Sequence, residues 1–116
     1  QLYDVSPTVF SSLVCNTWGV DPAPPQENMA ITSNVPVLLI SGSYDQETPP
    51  KWARAMQKNL PNSFHLIFQG WKHTPITNWS NPCAMEAAND FFNDPHRKPM
   101  SSCLEAITAP EFDTAP

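Results

Sequence analysis

Two residues of this 116-residue chain, Asp45 and His73, are of the types and at the places that proton-transfer chemistry needs. Asp45 comes four residues after the apolar run Val35–Ser41, and His73 five residues after a second run, Phe64–Phe68. A carboxylate beside an imidazole fixes its tautomer and stabilises its protonated form, leaving the other ring nitrogen to take a proton from a nucleophile. Taken singly, both residues have plainer readings. Asp in Gly-Ser-Tyr-Asp is a common turn former, and a lone His in a Gly-initiated loop is usually a surface residue. Their joint placement after two buried strands favours the chemical reading. His65, inside the second run, and His96, in a Pro-flanked loop, compete poorly.

The nucleophile is not evident. No Gly-x-Ser-x-Gly occurs, and the chain has only three glycines. Ser41 and Ser43 flank Gly42, but they precede the acid and sit on the wrong strand for a nucleophile elbow. Acid then histidine, each after its own strand, is the second half of the order Ser…Asp…His used by α/β-hydrolases. The expectation is therefore the carboxyl-terminal part of an enzyme, with its serine upstream of Gln1. No Gly-rich phosphate loop and no Cys-x-x-Cys or His-x-x-x-His spacing is present, so neither a cofactor nor a metal is expected.

The elements that must position these residues can be read from pattern. Val35–Ser41 lacks polar alternation, as a strand buried on both faces of a parallel sheet does. Pro36 lies near its start, where a missing N–H is tolerated. Gly42–Glu47 turn the chain, Thr48 is placed as an N-cap and Pro49 as the first helical residue. From Pro50 to Leu60, Trp52, Met56 and Leu60 recur every fourth residue, opposite Lys51, Arg54, Gln57 and Lys58, which predicts an amphipathic helix. Phe64–Phe68 is the second strand, and Gly70 breaks it. A strand, a helix and a strand make a crossover unit with parallel strands. Ligands in such sheets sit beyond the carboxyl ends of the strands, which puts Asp45 and His73 on one edge.

Around this unit, residues 1–34 read as an irregular amino-terminal segment. A short helix is placed within residues 1–14, and Gly19, Pro22, Pro24 and Pro25 make 16–34 a loop. Cys83–Phe92 predicts a helix with Ala84, Ala87, Ala88, Phe91 and Phe92 on its apolar face, stopped by Asp94-Pro95. Residues 35–104 form the hydrolase part, and 105–116 a Pro/Ala-rich tail expected to fray. Trp52, Trp71 and Trp79 read as packing residues, and Asn78-Trp79-Ser80 formally matches a glycosylation acceptor. Two buried strands need more neighbours than this chain offers, which also argues for truncation.

Net charge is −5 with six scattered Lys and Arg, so no basic face exists for nucleic acid. No apolar run reaches the roughly 18 residues of a membrane span. Three cysteines are an odd count. A Cys83–Cys103 bridge would close a short helix and a Pro-containing loop and leave Cys15 over for a partner elsewhere. Three buried thiols in a cytosolic protein is the alternative.

Several segments together carry a resemblance. Val35-Pro36-Val37-Leu38-Leu39-Ile40-Ser41-Gly42, then Asp45 followed by Thr48-Pro49-Pro50, resembles the acid-bearing segment of secreted tripeptidyl aminopeptidase-like (TAP-like) hydrolases, serine peptidases related to prolyl aminopeptidases. Leu60-Pro61-Asn62-Ser63 leading to Gly70-Trp71-Lys72-His73 is similar to the family's histidine segment. Cys83 and Ser102-Cys103 look like its carboxyl-terminal cysteine pair, and Cys15 with Trp18 resembles its Cys-x-x-Trp. Lys72 and Thr74 depart from the glycines common on either side of that histidine. The resemblance implies an α/β fold and a peptidase that is secreted, periplasmic or held in the cell envelope. Its substrate would be a peptide, cut near the N-terminus through a serine acyl-enzyme. Asp45 would orient, and His73 would act as general base and then acid. The alternatives are another α/β-hydrolase, such as an esterase or epoxide hydrolase, and a non-catalytic module of the same fold.

Overall fold

Leu38, Leu39 and Ile40 form the centre of strand β1 (Val37–Gly42), which lies parallel to β2 (Ser63–Phe68) with Val37 opposite Ser63 and Gly42 opposite Phe68. The computed structural model describes residues 7–100 and 102–113. Residues 1–6 of the expected first helix and the last three of the tail lie outside the described residues. β1 starts at Val37 because Pro36 has no N–H to give. The Val37 amide is the first to bond across, to the Asn62 carbonyl at 3.1 Å.

Parallel strands need a crossover rather than a hairpin, and helix α2 (Pro50–Gln57) makes it. Thr48, the expected cap, does not cap. Pro49 takes that position in extended conformation and Pro50 opens the helix, because the Thr48 hydroxyl is bonded to Asp45 instead. The helix also ends at Gln57 rather than near Leu60, in tight turns from the Asn59 and Leu60 amides to the Met56 and Gln57 carbonyls.

Side chains alternate across a sheet, and the two faces are treated differently. Leu38, Ile40, Leu66 and Phe68 face helix α3 (Cys83–Asn93), whose Ala84 and Ala87 let it approach closely. Phe68 is fully buried, and Trp71 packs on its ring at a centroid distance of 4.7 Å. Phe91 meets Phe64 edge-on. Phe92, one residue off the apolar stripe, is exposed. On the other face, the α2 side chain Gln57 bonds Ser63 at 3.5 Å. No α2 residue is buried, and Trp52 and Met56 are each 53% exposed. Of the three tryptophans read as packing residues, only Trp71 joins the core, and Trp79 is almost wholly exposed.

Cys83 and Cys103 are joined by a disulfide that ties the start of α3 to the short helix α4 (Ser102–Glu105). Between them Asp90 accepts from the Met100 amide at 2.6 Å and pairs with Arg97, folding the connection back. Segment 106–113 has no regular structure, but Pro110 lies against Gly70 and Phe112 stacks on Tyr44. Upstream, helix α1 (Pro7–Trp18) runs four residues past its expected end. It closes where Gly19 takes φ 66° and the Val20 amide reaches the Cys15 carbonyl, a left-handed helix end that glycine adopts without penalty. Cys15 is free and exposed, and Pro25–Asn28 adds a short 3-10 turn within the expected loop.

The disulfide closes a loop of sequence separation 20. Cleaving it, or replacing both cysteines by serine, should lower stability by about 3 kcal/mol, measured by urea denaturation with and without reductant. An unchanged midpoint would mean that packing of α3 alone holds this end of the core.

Candidate active site

The end of β1 and the loop that follows β2 approach each other so closely that only backbone fits between them. A Cβ on Gly42 would collide with the carbonyl oxygens of Trp71 and Lys72. That contact is then stitched by hydrogen bonds: the Ser43 amide to the Phe68 carbonyl at 2.9 Å, the Tyr44 amide to the Trp71 carbonyl at 2.9 Å, and the Gly70 amide to Ser43 Oγ at 2.7 Å. The loop carrying Asp45 and the loop carrying His73 are thereby one unit at the carboxyl edge of the sheet.

Asp45 is held from four directions. Its Oδ1 accepts from the amides of Glu47 (2.9 Å) and Thr48 (2.8 Å), while Oδ2 accepts from the Thr48 hydroxyl (2.6 Å) and faces His73 Nδ1 at 3.0 Å. The side chain is only 2% exposed. Burial pushes the carboxyl's pKa up, but the Thr48 hydroxyl and amide, His73 and the Glu47 amide outweigh it and hold the group well below the usual carboxylate range. Hydrogen bonds to the charged form favour it, so Asp45 is an anion at any physiological pH.

That anion sets the imidazole. Thr48 has one hydroxyl proton and gives it to Asp45, so its oxygen, 3.1 Å from Nδ1, can only accept there. Nδ1 therefore carries the proton and donates it to the carboxylate, and Nε2 is left with a lone pair turned outward. The hydrogen bond to Asp45 raises the pKa of His73, burial opposes this, and the negative charges of Glu47 and Asp45 add to the rise. The side chain is 39% exposed, and Nε2 lies 3.7 Å from Glu47 Oε2. Asp45, Glu47, Lys72 and His73 line an open cleft of about 560 Å³ with Ser43, Tyr44 and Gln46. Among the described residues no cluster of His, Cys, Asp and Glu could hold a metal ion.

Just after the imidazole the backbone turns left-handed at Thr74, with φ 54° and ψ 62°. For a β-branched residue this costs about 1–2 kcal/mol. The Thr74 hydroxyl bonds to the His73 carbonyl at 2.8 Å and to Thr77 Oγ1 at 3.0 Å, which ties the bend down. The two departures noted in the sequence thus differ. Lys72 lines the cleft in ordinary backbone, whereas Thr74 occupies a conformation that suits glycine.

The structure brings Asp45 and His73 together and leaves the other histidines elsewhere. His65 Nε2 meets Ser41 Oγ at 3.0 Å across the strands. That pair lies on the α2 face, and burial followed by the charge of Arg54 lowers the pKa of His65. His96 is exposed in the connection after α3. Thr48 and Glu47 were not singled out as site residues. The signal available was the Asp-x-x-Thr spacing, in which a carboxylate accepts from amides two and three residues on.

Two predictions follow from this geometry. Gly42→Ala forces the two loops apart and should cost at least about 2 kcal/mol, with loss of the low-field Nδ1 proton resonance of His73. A variant with wild-type stability and that resonance intact would show that the loops can part freely. The second concerns pH. Because its folded pKa is depressed, Asp45 contributes stability above its unfolded value of about 4, lost as pH falls further. His73, raised, contributes below about 6.5, and this is lost as pH climbs through its folded value. Asp45→Asn should therefore flatten the acid limb of stability measured by denaturant midpoints, and equal slopes in both proteins would contradict it.

A model of the TAP-like protein family matches residues 3–103. Comparison with curated proteins and with solved structures gives no significant match. Strand–helix–strand connectivity, the acid and histidine loops on one sheet edge, and a family match spanning most of its length make this chain a member of the TAP-like protein family of α/β-hydrolases.

Proposed function

We propose that this chain supplies the acid and the base of a serine-peptidase triad, Asp45 and His73, in an exported aminopeptidase that releases short peptides from substrate N-termini. The observation that carries the reading is the buried Asp45 carboxylate 3.0 Å from Nδ1 of an imidazole whose Nε2 is open to the cleft. In the reaction His73 Nε2 takes the proton of a serine hydroxyl as it attacks the scissile carbonyl, then gives it to the leaving amine. A water molecule is activated the same way to release the acyl group. Asp45 keeps the imidazole in the tautomer that leaves Nε2 free.

The serine, the oxyanion-hole donors and the surface that reads the substrate amine belong, in this reading, to a part of the parent protein upstream of Gln1. The thin cover on the α2 side of the sheet supports it, since no α2 residue is buried and Trp52 and Met56 stay exposed, whereas parallel sheets are normally well covered on both faces. Residues 35–104 are the hydrolase part that docks there. The Cys83–Cys103 disulfide supports export, because such bonds persist in oxidising compartments. No helix among the described residues is long and apolar enough to cross a membrane.

In the parent enzyme Asp45→Asn and His73→Ala should each cut turnover of an N-terminal tripeptide amide by about 10⁴-fold. The isolated 116-residue chain should not be labelled by a fluorophosphonate probe. Near-normal turnover in both variants refutes the triad, and cleavage of esters with no cleavage of the peptide amide refutes the aminopeptidase assignment.

A further inference from the structure

The outer nitrogen of His73, open to the cleft, has one charged group within reach. Asp45 Oδ2 stands 3.0 Å from Nδ1 and Glu47 Oε2 stands 3.7 Å from Nε2, so the ring is bracketed by two carboxylates from the same loop. The two differ in freedom. Asp45 is buried and bonded from four directions, whereas the Glu47 side chain is 75% exposed and has no other hydrogen-bond or ion-pair partner among the described residues. Its backbone is fixed all the same, because the Glu47 amide donates to Asp45 Oδ1. The side chain therefore swings from an anchored point within reach of Nε2.

A carboxylate has no proton to give at neutral pH and cannot hydrogen-bond the lone pair of a neutral Nε2. It can accept from Nε2–H once the ring is protonated. We propose that Glu47 is a proton-dependent clamp on His73: it closes on Nε2–H in the imidazolium and lets go when the ring is neutral. This rests on the reading of His73 as the proton acceptor, for which Nε2 is the working nitrogen. With the clamp closed, Nε2 is both protonated and turned to the carboxylate, so the base is withheld. With the clamp open, the lone pair faces the cleft. Glu47 is thus a positioning residue that sets the acid side of the working pH range and touches no reacting atom. The other charged group lining the cleft is Lys72, on the histidine's own loop. The direction of the His73 shift agrees with the carboxylates prevailing.

The test is an NMR titration of the His73 ring nitrogens in the full 116-residue chain at low salt, which needs no nucleophile. Glu47→Gln should lower the midpoint of His73 while leaving His65 and His96 unmoved. Glu47→Asp, shorter by one methylene but still anionic, should restore part of the difference. Salt at about 1 M, where the screening length is about 3 Å, should shrink it. In the parent enzyme the acid limb of kcat/KM should move down in pH in Glu47→Gln. An unaltered His73 midpoint in Glu47→Gln overturns the clamp, as does an equal fall in Glu47→Asp. Asp45→Asn reports separately on the inner pair through a fall of its own, so loss of the clamp and loss of the acid–imidazole pairing are told apart.

Discussion

Between the end of β1 and the loop that follows β2 there is room for peptide backbone but not for a side chain. The site depends on this constraint at Gly42, whose Cα faces the carbonyls of Trp71 and Lys72 with nothing between. The amides and carbonyls of residues 43–44 and 68–71 then pair with one another. Only with the loops in this register can a short aspartate side chain reach an imidazole 28 residues on. The constraint is steric first and electrostatic second: close approach fixes the positions, and the charge distribution follows from them.

Burying a carboxylate is unfavourable unless its lone pairs are used. The acid loop uses them locally, with two amides and one hydroxyl from residues 47 and 48. His73 adds a fourth contact to a group that is already an anion. This ordering makes the pair asymmetric. The carboxylate keeps its charge whether or not the ring is protonated, and the ring's preference is bent by a neighbour that does not respond to it. Thr48 links the two functions of the loop, since the same hydroxyl that secures Asp45 is withdrawn from the helix start, and α2 opens on Pro50 instead.

Much of the strand–helix–strand unit was legible because its signals are local. An unbroken aliphatic run, a Pro-Pro step and four-residue apolar spacing each point to one element. The boundaries shifted where a side chain had a competing partner or a proline lacked a donor, as at Thr48 and Pro36. The meeting of Asp45 with His73 was legible only as a topological inference from parallel strands. Glu47 was not legible, because its role depends on a side chain swinging across to another loop. The length of α1 was misjudged for a related reason: Gly19 reads as a breaker, but at a helix end it is a terminator and lets the helix run up to it. The exposure of Trp52 and Met56 could not be read either. An amphipathic pattern says which face is apolar and not what, if anything, lies against it.

The two-stranded sheet has a further consequence. Each strand is paired along one side only, so the other side of each presents a row of amide and carbonyl groups with no strand partner among the described residues. Open ribbons of this kind are templates for edge-to-edge growth, and the runs VLLI and FHLIF carry little charge to discourage it. Handled by itself, the polypeptide should be limited less by unfolding than by self-association through these ribbons. A lysine introduced on the outer side of either strand is the remedy that natural sheets use.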